Sequence, residues 1–110
     1  PIVSSYKKGL KTIEHLKPEN IVETSLNEPI VNWRSLDGKA ALKALWKSDG
    51  YAAAVSDPMM SAFSTLLEQE EGLSVLPASA ASLAALSEYV KATRSAKEHT
   101  FVAVLTGRKY

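Results

Sequence analysis

The sequence predicts an α/β fold, a partial three-layer sandwich on a mostly parallel sheet. Three observations predict it. Stretches with apolar residues three and four apart alternate with apolar runs too short for helices. Clusters of Pro, Gly, Asn and Asp separate the two kinds of segment. The last run, Phe101-Val102-Ala103-Val104-Leu105, is almost continuously apolar, as a strand covered on both faces must be. Strands that alternate with helices bury themselves as a sheet with helices on its faces.

The elements follow in order. Val3, Tyr6, Leu10, Ile13 and Leu16 recur at helical spacing, which predicts a helix from Ile2 to Leu16. Gly9 inside it weakens that helix by about 1 kcal/mol. Lys17-Pro18-Glu19-Asn20 breaks the pattern. Ile21 to Leu26 partly alternates and reads as a short strand, closed by Asn27-Glu28-Pro29. A second helix starts between Asn32 and Asp37 and carries the stripe Ala41, Leu42, Leu45, Trp46. Ser48-Asp49-Gly50 ends it, with Gly50 as the expected left-handed stop. Tyr51 to Val55 reads as a buried strand. Ser56-Asp57-Pro58 is the clearest start signal, a capping oxygen followed by proline at the first helical turn. That helix runs through Phe63, Leu66 and Leu67 to Gly72. Leu73 to Leu76 is a brief extended piece ending at Pro77. Ser79 can cap a further helix, whose face is Ala80, Leu83, Ala84, Leu86, Tyr89 and Val90. Arg94 to His99 is a polar connection before the final strand, and Thr106-Gly107 stands at its carboxyl end.

The 110 residues read as a single domain, 1–110. A hydrophobic fraction of 45% suits a folded chain. Thirteen basic and twelve acidic residues leave a net charge of +1 with no basic block, so nucleic acid is not an expected partner. Cysteine is absent, which excludes disulfides and thiolate chemistry and fits a cytoplasmic protein. No apolar run approaches the ~18 residues of a membrane span, and the first ten residues do not resemble a signal peptide. Pro1 is compatible both with a trimmed start and with a cut inside a longer chain.

In parallel sheets ligands gather beyond the carboxyl ends of strands. Two loops have suitable chemistry there, Leu76-Pro77-Ala78-Ser79 and Leu105-Thr106-Gly107. At these loops the chain resembles a known family. EEGLSVLPASAASLAAL, Glu70 to Leu86, is similar to the segment of threonine synthases in which an acidic, glycine-ended helix leads to a Pro-Ala-Ser-Ala-Ala start. FVAVLTG, Phe101 to Gly107, resembles the family's last core strand. GYAAAVSDPMMSAFSTLL, from Gly50, resembles its Gly-x-x-x-x-Val-Ser-Asp turn, and Asn27 to Leu45 is more loosely similar.

The resemblance implies the C-terminal portion of a fold-type II pyridoxal-phosphate enzyme, part of its larger domain. The family's activity is the conversion of O-phosphohomoserine to threonine. Thr106 takes the place of the hydroxyl that faces the pyridine nitrogen. Gly107 would let the backbone pass close to the ring, and Ser79 would line the same pocket, with Ala78 leaving room beside it. The family's Schiff-base lysine and glycine-rich phosphate loop lie upstream of the matched part. The chain alone is therefore expected to lack catalytic residues and to bind the cofactor weakly or not at all. Its expected partners are the missing N-terminal part, in cis or in trans, and further copies of itself. The family continues past Thr-Gly with a Gly and a Lys, where this sequence has Arg108-Lys109-Tyr110.

Several residues keep a plainer reading beside the functional one. Thr106 can simply bond a turn amide, and Ser79 can be a cap and nothing more. His15 and His99 read as surface residues. Glu68, Glu70 and Glu71 read as a solvated face, with no metal expected. Trp33, Trp46 and Met59-Met60 read as packing residues. The alternative function is a stand-alone, non-catalytic module that binds a ligand or a protein.

Overall fold

The computed structural model describes residues 1–108. Among them the regular structure is helical. Helix α1 spans Ile2–Lys7, α2 Gly38–Lys47, α3 Asp57–Glu71 and α4 Ala81–Ala92, with 3-10 turns at Pro18–Asn20, Glu28–Ile30, Pro77–Ala80 and Arg94–Glu98. The predicted sandwich on a parallel sheet is not there. Ile21–Leu26, Tyr51–Val55 and Phe101–Leu105 form no ladder among the described residues. One isolated bridge joins Val75 to Arg108, and it is antiparallel. The physical reason is that a strand is not a local structure. Its backbone groups need a neighbouring strand, and an apolar run supplies none. The run expected to be buried on both faces instead leaves Val102 87% and Val104 67% exposed.

The chain forms two compact units. The first holds residues 1–24 and 30–54. Here α1 packs on α2. The Tyr6 and Trp46 rings are 4.6 Å apart. Tyr6 Oη–H donates to the Gly50 carbonyl at 2.6 Å, and Trp46 Nε1–H to the Leu10 carbonyl at 2.7 Å. The Lys11 ammonium stands 3.3 Å from the centre of the Trp46 ring, a cation–π contact. Leu42 is fully buried.

The helix expected to reach Leu16 stops at Lys7. Gly9 has φ +76°, a conformation only glycine adopts cheaply, and Leu10 N–H returns to the Ser5 carbonyl at 3.0 Å. The reversed chain brings Glu14 N–H to the buried Ser5 Oγ at 3.0 Å. The start of α2 falls inside the predicted window, with Asp37 at the cap position. Its end is corrected. Asp49, at φ 50°, takes the left-handed turn expected of Gly50. Gly50 is needed for space, since a Cβ there would lie 2.9 Å from Leu45 Cδ2.

The second unit holds residues 25–29 and 55–108. Helix α3 matches its predicted signals at both ends. Ser56 Oγ accepts from Met59 N–H at 3.4 Å, and Gly72 closes the helix at φ +66°. Leu67, Val75 and Ala80 form the core, with Phe63, Leu83 and Leu105 packed against it. Met60 is fully buried, whereas Met59 is 45% exposed. Ser64 Oγ–H donates to the Val75 carbonyl at 2.6 Å and ties the extended piece to α3. Ser79 does not cap α4 as expected. It lies inside the 3-10 turn Pro77–Ala80 and makes no side-chain cap bond. Proline at the first position of that turn starts it two residues earlier, which leaves the serine hydroxyl for other partners. No helix among the described residues is long and apolar enough to cross a membrane.

Candidate functional site

The second unit places the two predicted loops side by side. The Val75–Arg108 bridge, with Leu76 N–H donating to the Gly107 carbonyl at 3.1 Å, holds residues 73–76 against 105–108. Proline at 77 then turns the chain, and the turn presents Ser79 to Thr106. The two hydroxyl oxygens, Ser79 Oγ and Thr106 Oγ1, are 3.4 Å apart, and either can donate. Gly107 is what permits this approach. A Cβ on it would lie 2.6 Å from Ser79 Oγ and 2.8 Å from Leu76 Cδ1, well inside contact distance.

Beside this junction lies a cleft with a volume of about 440 Å³. One side is Gly72, Leu73, Ser74 and Val75, and the other is Leu105, Thr106, Gly107 and Arg108. The volume falls in the range of small-molecule sites, roughly 300–1,000 Å³. Thr106 and Gly107 line the cleft, and Thr106 is exposed there. Ser79 and Ala78 do not line it. Both are buried, Ala78 at 6% exposure and Ser79 at 9%, and Ser79 touches Thr106 from behind. The four predicted residues therefore separate into two lining residues and two supporting ones.

Five cleft residues, Gly72, Leu73, Ser74, Val75 and Arg108, are not in the loops the sequence singles out. Ser74 adds a second hydroxyl, Val75 an apolar wall and Arg108 the one charge among the described lining residues. Nothing local marks them, because the cleft is made by pairing segments thirty residues apart in the chain. Among the described residues the lining contains hydroxyls, backbone amides and a guanidinium, and no side chain of the kind that serves as a general base near neutrality. These residues can bind and orient a ligand. His99 sits outside the cleft, edge-on to Phe101 at 6.4 Å between ring centres.

Comparison with known proteins gives the chain its relatives. It is 33% identical over 107 residues to the threonine synthase of Methanocaldococcus jannaschii, a match that covers 97% of this chain and 25% of the relative. It is 34% identical over 107 residues to the threonine synthase of Methanosarcina acetivorans, with the same two shares. The chain is a partial homologue of threonine synthases. It spans about a quarter of the length of these curated relatives. No protein-family model and no solved structure matches it. The likeness to threonine synthases runs through both units.

Proposed function

We propose that this chain supplies the C-terminal portion of a threonine synthase-like enzyme and is incomplete for catalysis by itself. The similarity of 97% of the chain to a quarter of two threonine synthases carries this reading. In the complete enzyme O-phosphohomoserine becomes threonine with pyridoxal phosphate as cofactor.

The residues in hand fit one end of that cofactor. Leu105 and Val75 give apolar cover for an aromatic ring, Gly107 keeps bulk away, and Thr106 offers a hydroxyl at the wall. They do not fit the other end. Among the described residues no lysine and no glycine-rich phosphate cradle lines the cleft. Pyridoxal phosphate, when bound, supplies an electron sink for bonds at the substrate's α carbon. Thr106 would hold the ring nitrogen with an uncharged hydroxyl, so that atom need not carry a proton. Ser79 would orient the Thr106 hydroxyl from behind. The reactive amine and the phosphate cradle come from the rest of the enzyme, in cis or as a separate polypeptide. Val102 and Val104 are surfaces for that remainder to cover. In its absence the same surface draws copies of the chain together into homo-oligomers. The proposed setting is the cytoplasm.

A chimera tests this reading. The matching quarter of the Methanocaldococcus jannaschii threonine synthase is replaced by this chain, and both phosphate release from O-phosphohomoserine and the visible absorbance of bound cofactor are measured. Both should be restored, and Thr106→Val should change the absorbance. A folded chimera that takes up no cofactor and releases no phosphate overturns the proposal.

A further inference from the structure

The cleft of the second unit has one feature that the cofactor reading does not use. Among the described residues its only charged lining residue is Arg108. Among the described residues no carboxylate lies within ion-pair distance of that guanidinium, the ion pair found being Lys8–Glu14 in the first unit. Arg108 is held in place by its backbone, through the bridge to Val75. The hydroxyls of Ser74 and Thr106 line the same space, and Leu73, Val75 and Leu105 give it apolar walls. Gly72, with φ +66° and open space where a Cβ would stand, leaves the mouth clear. Glu68, Glu70 and Glu71 on α3 oppose an anion at long range, but none lines the cleft, and exposed charges are screened within about 8–10 Å at ordinary ionic strength.

We infer that this cleft, in the chain apart from the rest of the enzyme, binds a small organic anion in place of the cofactor ring, with Arg108 pairing its carboxylate or phosphate group and Ser74 and Thr106 donating to the same oxygens. A guanidinium presents a planar fork that matches both groups, and such charge-assisted bonds are about twice as strong as neutral ones. The apolar walls select a ligand with a short hydrocarbon body over a bare ion. Binding weakens as salt rises, because the guanidinium is exposed. The inference stands on the cleft and not on the cofactor reading. A failed chimera leaves it intact, and a failed titration leaves the chimera's outcome intact.

The test is an amide NMR titration of the 110-residue chain at low salt, with inorganic phosphate in one arm and butyrate in the other. The amides of Ser74, Thr106 and Gly107 should shift along one saturating curve in at least one arm, and the arm that saturates tighter names the anionic group. Arg108→Gln should weaken that curve by about tenfold or more, and Arg108→Lys by less, since the charge stays and the fork is lost. Thr106→Val should weaken it with the same shape kept. The inference is overturned if neither anion saturates, if the shifts centre on Lys91, Arg94 and Lys97, or if Arg108→Gln titrates like the parent.

Discussion

Gly107→Ala isolates a purely steric demand. Its φ lies outside the left-handed range, unlike that of Gly9 or Gly72, so an alanine meets no backbone penalty there. The whole cost comes from the new Cβ, 2.6 Å from Ser79 Oγ and 2.8 Å from Leu76 Cδ1. Leu76 is 37% exposed and can give way, whereas Ser79 is buried and its oxygen already meets Thr106 Oγ1. Overpacking of this kind costs about 1–3 kcal/mol. The loss of unfolded-state entropy on Gly→Ala returns about 0.4–1 kcal/mol. The net expectation is a destabilisation of about 1–2 kcal/mol. Ser79→Ala in the same chain removes the nearer clash and should recover roughly half of it, a non-additive cycle of the kind neighbouring residues show. Both tryptophans lie in the first unit, so their fluorescence is blind to this change. Urea unfolding followed by far-UV circular dichroism reads α3 and α4 directly. With a slope of about 1–3 kcal/mol/M the midpoint should fall by about 0.5–1 M. An unchanged or raised midpoint would refute the claim that Gly107 is required for the close approach of Ser79 and Thr106.

Two further changes probe the same unit by different physics. Gly72→Ala has open space around the new Cβ but forces φ +66° on an L side chain, so it should cost about 1 kcal/mol by the same unfolding assay. Ser64→Ala removes the donor to the Val75 carbonyl. It should cost about 1–3 kcal/mol, and amide exchange should speed up at residues 73–76 more than in the rest of the unit.

What could be read from the chain was what neighbours in sequence decide. Ser56, Pro58 and Gly72 specify α3 because capping and a left-handed stop act within one turn of helix, and the structure shows both. The stripe through Leu42 marked α2, although Asp37 at its start makes no side-chain cap bond. Local reading failed where two local signals competed. Gly9 ended α1 although apolar spacing continued to Leu16, since a turn that buries Ser5 against Glu14 outweighs further helix. At the end of α2 Asp49 and Gly50 were both able to turn, and the crowding at Leu45 and Ser48 decided between them.

The extended segments show the larger division. Their apolar character is written in the sequence, but whether they pair depends on a partner, and Phe101–Leu105 has none among the described residues. The sequence by itself determined where α3 begins and stops, and that Thr106 and Gly107 belong to a loop. Only the tertiary structure decided that Ser79 stands behind Thr106 and not in the cleft, and that Ser74 and Arg108 face the same space. The reason is range. Caps and turns are settled by bonds a few residues long, whereas the cleft exists because Val75 meets Arg108 across a separation that no local pattern encodes.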